Sequence, residues 1–113
     1  MTAGPVSFED WERERIHGAI GVLATVSPDG GPHAAPVQVN VEGDTLRFET
    51  EPDARKFKNL VANPQVAICV FGSPKWGVVV RGRAEVLTAD DGRGQAQVRL
   101  HPGSKATWRR REG

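Results

Sequence analysis

Residues 53–71, DARKFKNLVANPQVAICVF, predict a short helix that runs directly into a strand. Three apolar side chains recur at the i, i+3, i+4 spacing of a buried helix face: Phe57, Leu60 and Val61. Asp53 is expected to be the N-cap, because its carboxylate can accept a bond from a free N–H group of the first turn. From Gln65 onward almost every residue is apolar, so this strand is expected to be buried on both faces.

The start of this helix carries positive charge at the end that already holds about half a unit of positive charge. Arg55 and Lys56 lie in the first turn, and Lys58 and Asn59 follow closely. Each misplaced cation should cost about 0.3–1 kcal/mol. Free N–H groups and cationic side chains together favour a bound phosphate or carboxylate. An ordinary solvated helix face is the alternative, and the helix alone supports both interpretations equally.

The segments around this helix follow the period of two that indicates strands. The predicted strands are 20–27, 33–41, 45–50, 65–71 and 77–87, with tight turns at PDGG and EGD. An N-terminal helix is predicted from Ser7 to His17, opened by a capping box of Ser7 and Asp10. Short strands with one inserted helix suit a small closed barrel, mainly β with minor α, because closure removes exposed strand edges.

We expect one domain over residues 1–113, with a core spanning about 18–88. Beyond Leu87 the alternation fades into a segment that is rich in glycine and basic at its end. Residues 89–113 are therefore predicted to form a poorly defined C-terminal tail.

The composition excludes several classes of protein. A net charge of +1 and a pI near 8.0 are too balanced for a protein that binds nucleic acid by charge. No apolar run approaches the length of a membrane span, and the N-terminus does not resemble a signal peptide. The single cysteine, Cys69, cannot form an internal disulfide. We therefore expect a cytoplasmic protein without nucleic-acid or membrane partners.

Other candidate residues each have a functional and a structural interpretation. Trp76 follows a Gly/Pro loop, so its ring either covers a flat ligand or packs. Gln38, on the strand face opposite Val37, either faces water or lines a cleft. Cys69 lies between apolar neighbours and is expected to pack in the core. The three histidines lack the spacing of metal ligands, so no metal site is predicted. No side chain stands out as a catalytic acid or base.

Four segments of the chain, taken together, indicate a known family: IGVLATVSPDGGP, PVQVNVEGDTLRFET, RKFKNLVANPQVAICV and WGVVVRGRAEV. Their order and spacing over residues 20–87 resemble the pyridoxamine 5′-phosphate oxidase-like family of flavin-binding split β-barrels. The likeness is strongest to short actinobacterial members, many of which use the deazaflavin coenzyme F-420 in place of FMN. Residues 88–113 give a poor likeness to the family's usual helix and closing strand. The alternatives are a barrel completed differently, a short remnant of the closing strand at QAQVRL, or a truncated chain.

The resemblance implies a six-stranded split barrel that forms a homodimer, with the cofactor in a groove between the subunits. It assigns the cofactor's phosphate-bearing tail to the helix start, at Lys56 with Arg55 beside it and Asn59 in the same motif. Further cofactor contacts are implied at the following positions: Glu49 and Thr50 at the end of the third strand, Val37 and Gln38 on the second, and Trp76 from the partner subunit.

The function that the resemblance implies is an oxidoreductase dependent on FMN or F-420, which transfers a hydride to or from a small organic substrate. The alternative is a non-catalytic carrier of the same cofactors on the same fold. The sequence does not distinguish FMN from F-420, because both bring a tricyclic ring and a phosphate.

Overall fold

Six strands and two helices make up the computed structural model, which describes residues 5–72 and 75–110. In chain order they are α1 (Asp10–Ile16), β1 (Ala19–Val26), β2 (Pro32–Glu42), β3 (Thr45–Thr50), α2 (Arg55–Ala62), β4 (Gln65–Gly72), β5 (Trp76–Thr88) and β6 (Ala96–Arg109). The predicted class, a small barrel of mainly β structure with an N-terminal helix and a helix between β3 and β4, is confirmed. Neither helix in the described ranges is long and apolar enough to cross a membrane.

The strands form a closed antiparallel barrel in the order β1-β2-β3-β6-β5-β4. Closure is made between β1 and β4, where Val22 lies opposite Cys69 and Ala24 opposite Ala67. Tight turns join β1 to β2 and β2 to β3, and Gly30 and Gly43 adopt the positive φ angles that these turns require. The two helices lie at opposite ends of the barrel: α1 precedes the start of β1, and α2 packs near its end.

The C-terminal strand β6 corrects the expectation of a poorly defined tail after residue 88, which was wrong over Ala96–Arg109. β6 lies between β3 and β5 and supplies the sixth strand. Pro102 of β6 lies opposite Gly82 at a register shift. A proline is tolerated in a strand at such an irregularity. Gly82 is needed there, because a Cβ would lie 2.1 Å from the carbonyl oxygen of His101.

The barrel interior is filled by alternate residues of all six strands, as period-two patterns require. The largest fully buried apolar side chains are Ile16, Leu23, Val39, Leu46, Leu60, Ile68, Val78, Val80, Val98 and Leu100. The interior face of β6, Ala96, Val98 and Leu100, pairs with β3 from Thr50 to Leu46. The core therefore depends on the C-terminal strand as much as on the others.

The start of α1 differs from the predicted capping box of Ser7 and Asp10. The box is formed by Glu9 and Glu12, two residues further along the chain, and the helix begins at Asp10. Glu12 is fully buried, and its Oε1 accepts bonds from the backbone N–H of Glu9 at 2.8 Å and from Lys105 Nζ at 2.6 Å. The carboxylate of Glu12 thereby serves both the helix start and β6.

Two expectations for α2 were also wrong. The N-cap is Ala54, not Asp53, and no side chain caps the helix start. Phe57 and Leu60 are buried as predicted, but the Val61 side chain is 59% exposed. The short helix covers only one end of the barrel, so its buried stripe is narrower than the spacing suggested.

β4 is buried on one face only, which corrects the prediction of a strand buried on both. Val66, Ile68 and Val70 point into the core, whereas Phe71 is 57% exposed. Cys69 is half-buried on the outer face, so its expected place in the core was wrong. Burial against neighbouring strands still raises the pKa of its thiol.

Candidate functional site

The start of α2 forms one wall of an open groove of about 510 Å³. Its lining residues come from the connection between β1 and β2, the segment before α2 and the helix itself: Pro28, Asp53, Arg55, Lys58 and Asn59. We call this the α2 groove. It places two cations and one buried amide around a single space.

The charge in the α2 groove is largely uncompensated. Arg55 and Lys58 are exposed, and neither makes an ion pair within the described ranges. The first turn of α2 contains no acidic residue, and no side chain caps its N–H groups. Asp53, which was expected to supply that cap, lines the groove and is its one carboxylate. The groove thus offers cations and a helix N-terminus to an anion, with Asp53 opposing them at one side.

Asn59 fixes the helix to the barrel. Its Nδ2 donates a hydrogen bond of 3.1 Å to Oγ1 of Thr25 on β1. The two residues are 1% and 3% exposed, so the bond is shielded from water. The position of α2 against β1, and with it the shape of the groove, depends on this contact.

The other predicted residue of the helix start, Lys56, is half-buried and does not line the α2 groove. Lys58, to which the resemblance gives no role, lines it instead. The reason is helix geometry. Residues 55, 58 and 59 follow the i, i+3, i+4 spacing that places side chains on one face of a helix, and residue 56 lies on another face. That signal was present in the sequence.

A second, smaller groove of about 160 Å³ lies on the outer face of β2, β3 and β6, where it holds the predicted residues Gln38 and Glu49. Glu49 Oε2 accepts a bond of 2.9 Å from Nε2 of Gln97. Gln97 in turn receives a bond from Arg47 on its Oε1 at 2.9 Å. Gln97 was missed because it lies on β6, which was read as tail, although the alternation of QAQVRL marks it as outward-facing.

Carboxylates at the two ends of this polar network titrate below their usual range. The guanidinium of Arg99, which donates to Glu42 over 2.8 Å, lowers the pKa of Glu42, and Arg47 adds to the effect. The backbone N–H of Arg93, followed by the side chain of Gln97, lowers the pKa of Asp91. Both groups are therefore held as carboxylates that accept bonds, which keeps the groove side chains in place.

Two predicted residues face the interior. Val37 is buried in the core, so only its backbone is available to a ligand outside the barrel. Thr50 is also buried, and its hydroxyl donates a long bond of 3.5 Å to the carbonyl oxygen of Glu51. Both residues lie on the strands that the sequence predicted for them, but their side chains face the interior and not the outer surface.

Trp76 lies far from α2 within one chain. It pairs with Gly72 at the end of β4, whereas α2 immediately precedes the start of β4. From Gln65, where β4 begins, to Gly72 there are seven residue steps of about 3.3 Å each, a distance of about 23 Å along the strand. The indole packs on Gly72, where a Cβ would lie 2.2 Å from Nε1, and the guanidinium of Arg15 lies 5.6 Å from the ring centroid. In the single chain Trp76 therefore packs beside α1.

Nucleophilic and metal chemistry receive no support from the described residues. The raised pKa of Cys69 keeps its thiol protonated at neutral pH, and a protonated thiol is a poor nucleophile. Residues 5–72 and 75–110 contain no group of three or more His, Cys, Asp or Glu side chains that could hold a metal ion.

Solved structures show the same fold. An F-420 reductase is 25% identical with a TM-score of 0.77, covering 88% of this chain and 98% of its own. Protein Rv2991 of Mycobacterium tuberculosis is 20% identical with a TM-score of 0.76, covering 96% of this chain and 89% of its own. HupZ of Group A Streptococcus is 18% identical with a TM-score of 0.79, covering 93% and 99%. A search of curated proteins found no significant match.

The family model described as pyridoxamine 5′-phosphate oxidase matches residues 13–108, which include part of α1, all of α2, β1 to β5, and β6 except its last residue. The match and the closed six-stranded barrel agree with the four segments singled out in the sequence. The chain belongs to the pyridoxamine 5′-phosphate oxidase family.

Proposed function

We propose that the protein is an oxidoreductase that binds FMN or the deazaflavin coenzyme F-420 and transfers a hydride to or from a small organic substrate. Family membership and the likeness to an F-420 reductase support the cofactor class. When bound, the tricyclic ring supplies the hydride chemistry, and this chain binds and orients it.

The observation that carries the proposal is the uncompensated positive charge of the α2 groove. Arg55 and Lys58 face a space of about 510 Å³ beside an uncapped helix start. Such a helix end favours phosphate, because free N–H groups and the helix dipole both attract negative charge. Buried Asn59, held by Thr25, keeps this wall in a fixed position. These residues fit the phosphate-bearing end of either cofactor.

A homodimer is part of the proposal. Three large apolar side chains are exposed on the outer faces of β1 and β4: Ile20, Val22 and Phe71. Exposed apolar patches beyond a few hundred Å² usually mark an interface. In a dimer the partner subunit's Trp76 would approach the cofactor groove, which within one chain its indole cannot reach. We also keep the cytoplasm as the proposed location, since the one cysteine, Cys69, is unpaired.

A non-catalytic carrier of the same cofactors is the second candidate. The residues that line the α2 groove include one carboxylate, that of Asp53, and no histidine or cysteine. A carrier needs only binding groups, and the groove supplies those. No residue is therefore assigned as a catalytic acid or base.

Separate titrations of the purified protein with FMN and with F-420, followed by absorbance and fluorescence, test the binding. We expect one of the two to bind at micromolar concentration or tighter. Reoxidation of the reduced cofactor by quinone or enone acceptors then separates an enzyme from a carrier. Failure of both cofactors to bind would contradict the proposal, whereas binding without turnover would favour the carrier.

A further inference from the structure

One groove, with a volume of about 530 Å³, lies away from the residues assigned to the cofactor. It is lined by residues of β1, β4, β5 and β6 and by the connection between β1 and β2. Its apolar lining comes from Ala24, Val26, Pro32, Val66 and Ala67. We call it the lateral groove. A volume of this size is in the range of small-molecule sites.

Small side chains create this depression. Ala24 lies opposite Ala67, and Ala67 lies opposite Arg81, so one row across three strands begins with two methyl groups. Two residues nearer α1, the corresponding row contains Val22 and Cys69 opposite each other, and these larger side chains fill the surface. The groove therefore begins where the exposed apolar surface of β1 and β4 ends.

One guanidinium borders the apolar surface. Arg81 lines the lateral groove together with Gln65 and Ser104, and Ser104 is its Cα partner on β6. The side chain of Arg81 is exposed and makes no hydrogen bond, ion pair or ring contact within residues 5–72 and 75–110. Most arginines in those ranges do have such a contact, as Arg13, Arg47 and Arg99 show. The donors of Arg81 are thus available to a ligand.

The chemistry of the lining selects one kind of occupant. A purely apolar partner surface would remove the Arg81 guanidinium from water without a counter-charge, which is costly. A free inorganic anion would leave the apolar surface uncovered. A molecule with an apolar body and one carboxylate satisfies both parts, with the carboxylate on Arg81 and Ser104.

The lateral groove is separate from the α2 groove. The β1–β2 turn lies between them, since Gly30 lines the lateral groove and Pro28 lines the α2 groove. None of the residues assigned to the cofactor lines the lateral groove. We propose that the lateral groove is a second binding site, which takes a small amphipathic organic acid through the Arg81 guanidinium. This inference does not depend on the identity of the cofactor.

Calorimetric titration of the full chain with octanoate tests the site, with octan-1-ol as the uncharged match and inorganic phosphate as the anion without an apolar body. Octanoate should bind at least about tenfold more tightly than either. Arg81→Gln should weaken octanoate binding about tenfold, which corresponds to about 1.4 kcal/mol. Arg83→Gln is the matched control, because Arg83 is exposed on the same strand and does not line the groove. It should bind octanoate as the unaltered protein does.

Four results would overturn the proposal. The first is an octanoate affinity that Arg81→Gln leaves unchanged, and the second is equal binding of octanoate and octan-1-ol. The third is no octanoate binding at millimolar concentration, combined with a change in the sedimentation of Arg81→Gln, which would assign the surface to a second copy of the chain. Competition between octanoate and the cofactor would likewise contradict a separate site.

Discussion

The side chain of Asn59 donates a hydrogen bond of 3.1 Å to the hydroxyl of Thr25, and the bond joins α2 to β1 inside the protein. Three residues after Thr25, Pro28 forms the opposite wall of the α2 groove. One buried polar contact therefore sets the separation of the two walls between which we expect the phosphate to bind.

Removal of the acceptor, the Thr25 hydroxyl, should show how much this hydrogen bond contributes to stability. In Thr25→Val the amide of Asn59 stays buried without its partner, which should lower the free energy of unfolding by about 1–3 kcal/mol. Replacing both residues, as Thr25→Val with Asn59→Leu, should recover part of the loss, since no polar group is left unpaired. Urea unfolding of the single and double variants measures the difference. This account would be contradicted if the double variant had a lower free energy of unfolding than Thr25→Val alone.

The cations of the α2 groove should govern cofactor affinity. Arg55→Ala removes a charge-assisted bond worth about 1.5–3 kcal/mol, so affinity for FMN or F-420 should fall about tenfold to a hundredfold. Arg83→Ala removes an exposed arginine from β5, outside this groove, and should leave affinity unchanged. Fluorescence titration of both variants gives the comparison.

Variants of Lys56 and Lys58 distinguish two possible positions of the cofactor phosphate. The groove of the single chain includes Lys58, so Lys58→Ala should cost more affinity than Lys56→Ala. The family resemblance assigns the phosphate to Lys56 and expects the opposite order. A larger loss at Lys56 would place the phosphate on the side of α2 that faces away from the groove described above.

The buried pair of Glu12 and Lys105 should be essential only as a pair. Lys105→Met leaves the Glu12 carboxylate buried without its cation, which should destabilise the protein by about 3–5 kcal/mol. A double replacement, Glu12→Leu with Lys105→Met, should restore most of that stability, because apolar groups can replace a buried ion pair at little cost. Thermal unfolding at neutral pH measures both. Equal stability of the single and double variants would show that Glu12 is better solvated than its burial indicates.

Glu42 should make stability sensitive to acid. The Arg99 guanidinium lowers its pKa in the folded protein below the usual value of 4.5. A lowered folded pKa means that the stabilisation is fully present above the unfolded pKa and is lost as the pH falls through the folded one. Glu42→Gln should therefore flatten the loss of stability below about pH 4.5. Glu14→Gln, at an exposed position on α1, is the control and should leave the acid limb unchanged.

The exposed apolar face of β1 should mediate dimerisation. Ile20, which is 66% exposed, would be buried in such an interface, and Ile20→Lys would place an unpaired charge there. We expect a dimer for the unaltered protein and a monomer for this variant in sedimentation at micromolar concentration. Val61→Lys, at an exposed apolar position on α2, should remain dimeric. A dimer that tolerates Ile20→Lys would assign the interface to another face.

The sequence predicted five strands and the barrel, because alternation such as that of Val37 and Val39 directly reports one buried face. It misjudged β6, because the alternation fades after Leu87 in a glycine-rich segment, and the strand contains Pro102 at a register irregularity opposite Gly82. The sixth strand followed from the family resemblance, with QAQVRL as one of the alternatives for it. A pairing partner about 20 residues away leaves no local pattern.

The shape of the candidate site could be predicted from the sequence only in part, for a similar reason. Arg55 and Asn59 share one face of α2 by their spacing, and that part needs only helix geometry. The position of Trp76 relative to α2 depends on the length and direction of β4, and the lateral groove depends on three strands meeting at Ala24, Ala67 and Arg81. Such relationships depend on which residues pair across neighbouring strands, and the hydrophobic pattern within one strand does not reveal that pairing.

The last strand in the chain is an interior member of the barrel, and this affects how the protein is made. A nascent chain that has emerged only as far as Gln95 has five strands, with β3 and β5 each presenting an unpaired edge to its surroundings. Such edges are templates for pairing with other chains. The barrel can close only after Ala96–Arg109 has been synthesised, so folding during translation is confined to partial sheets. Until β6 has been made, the edges of β3 and β5 are therefore open to pairing with other chains.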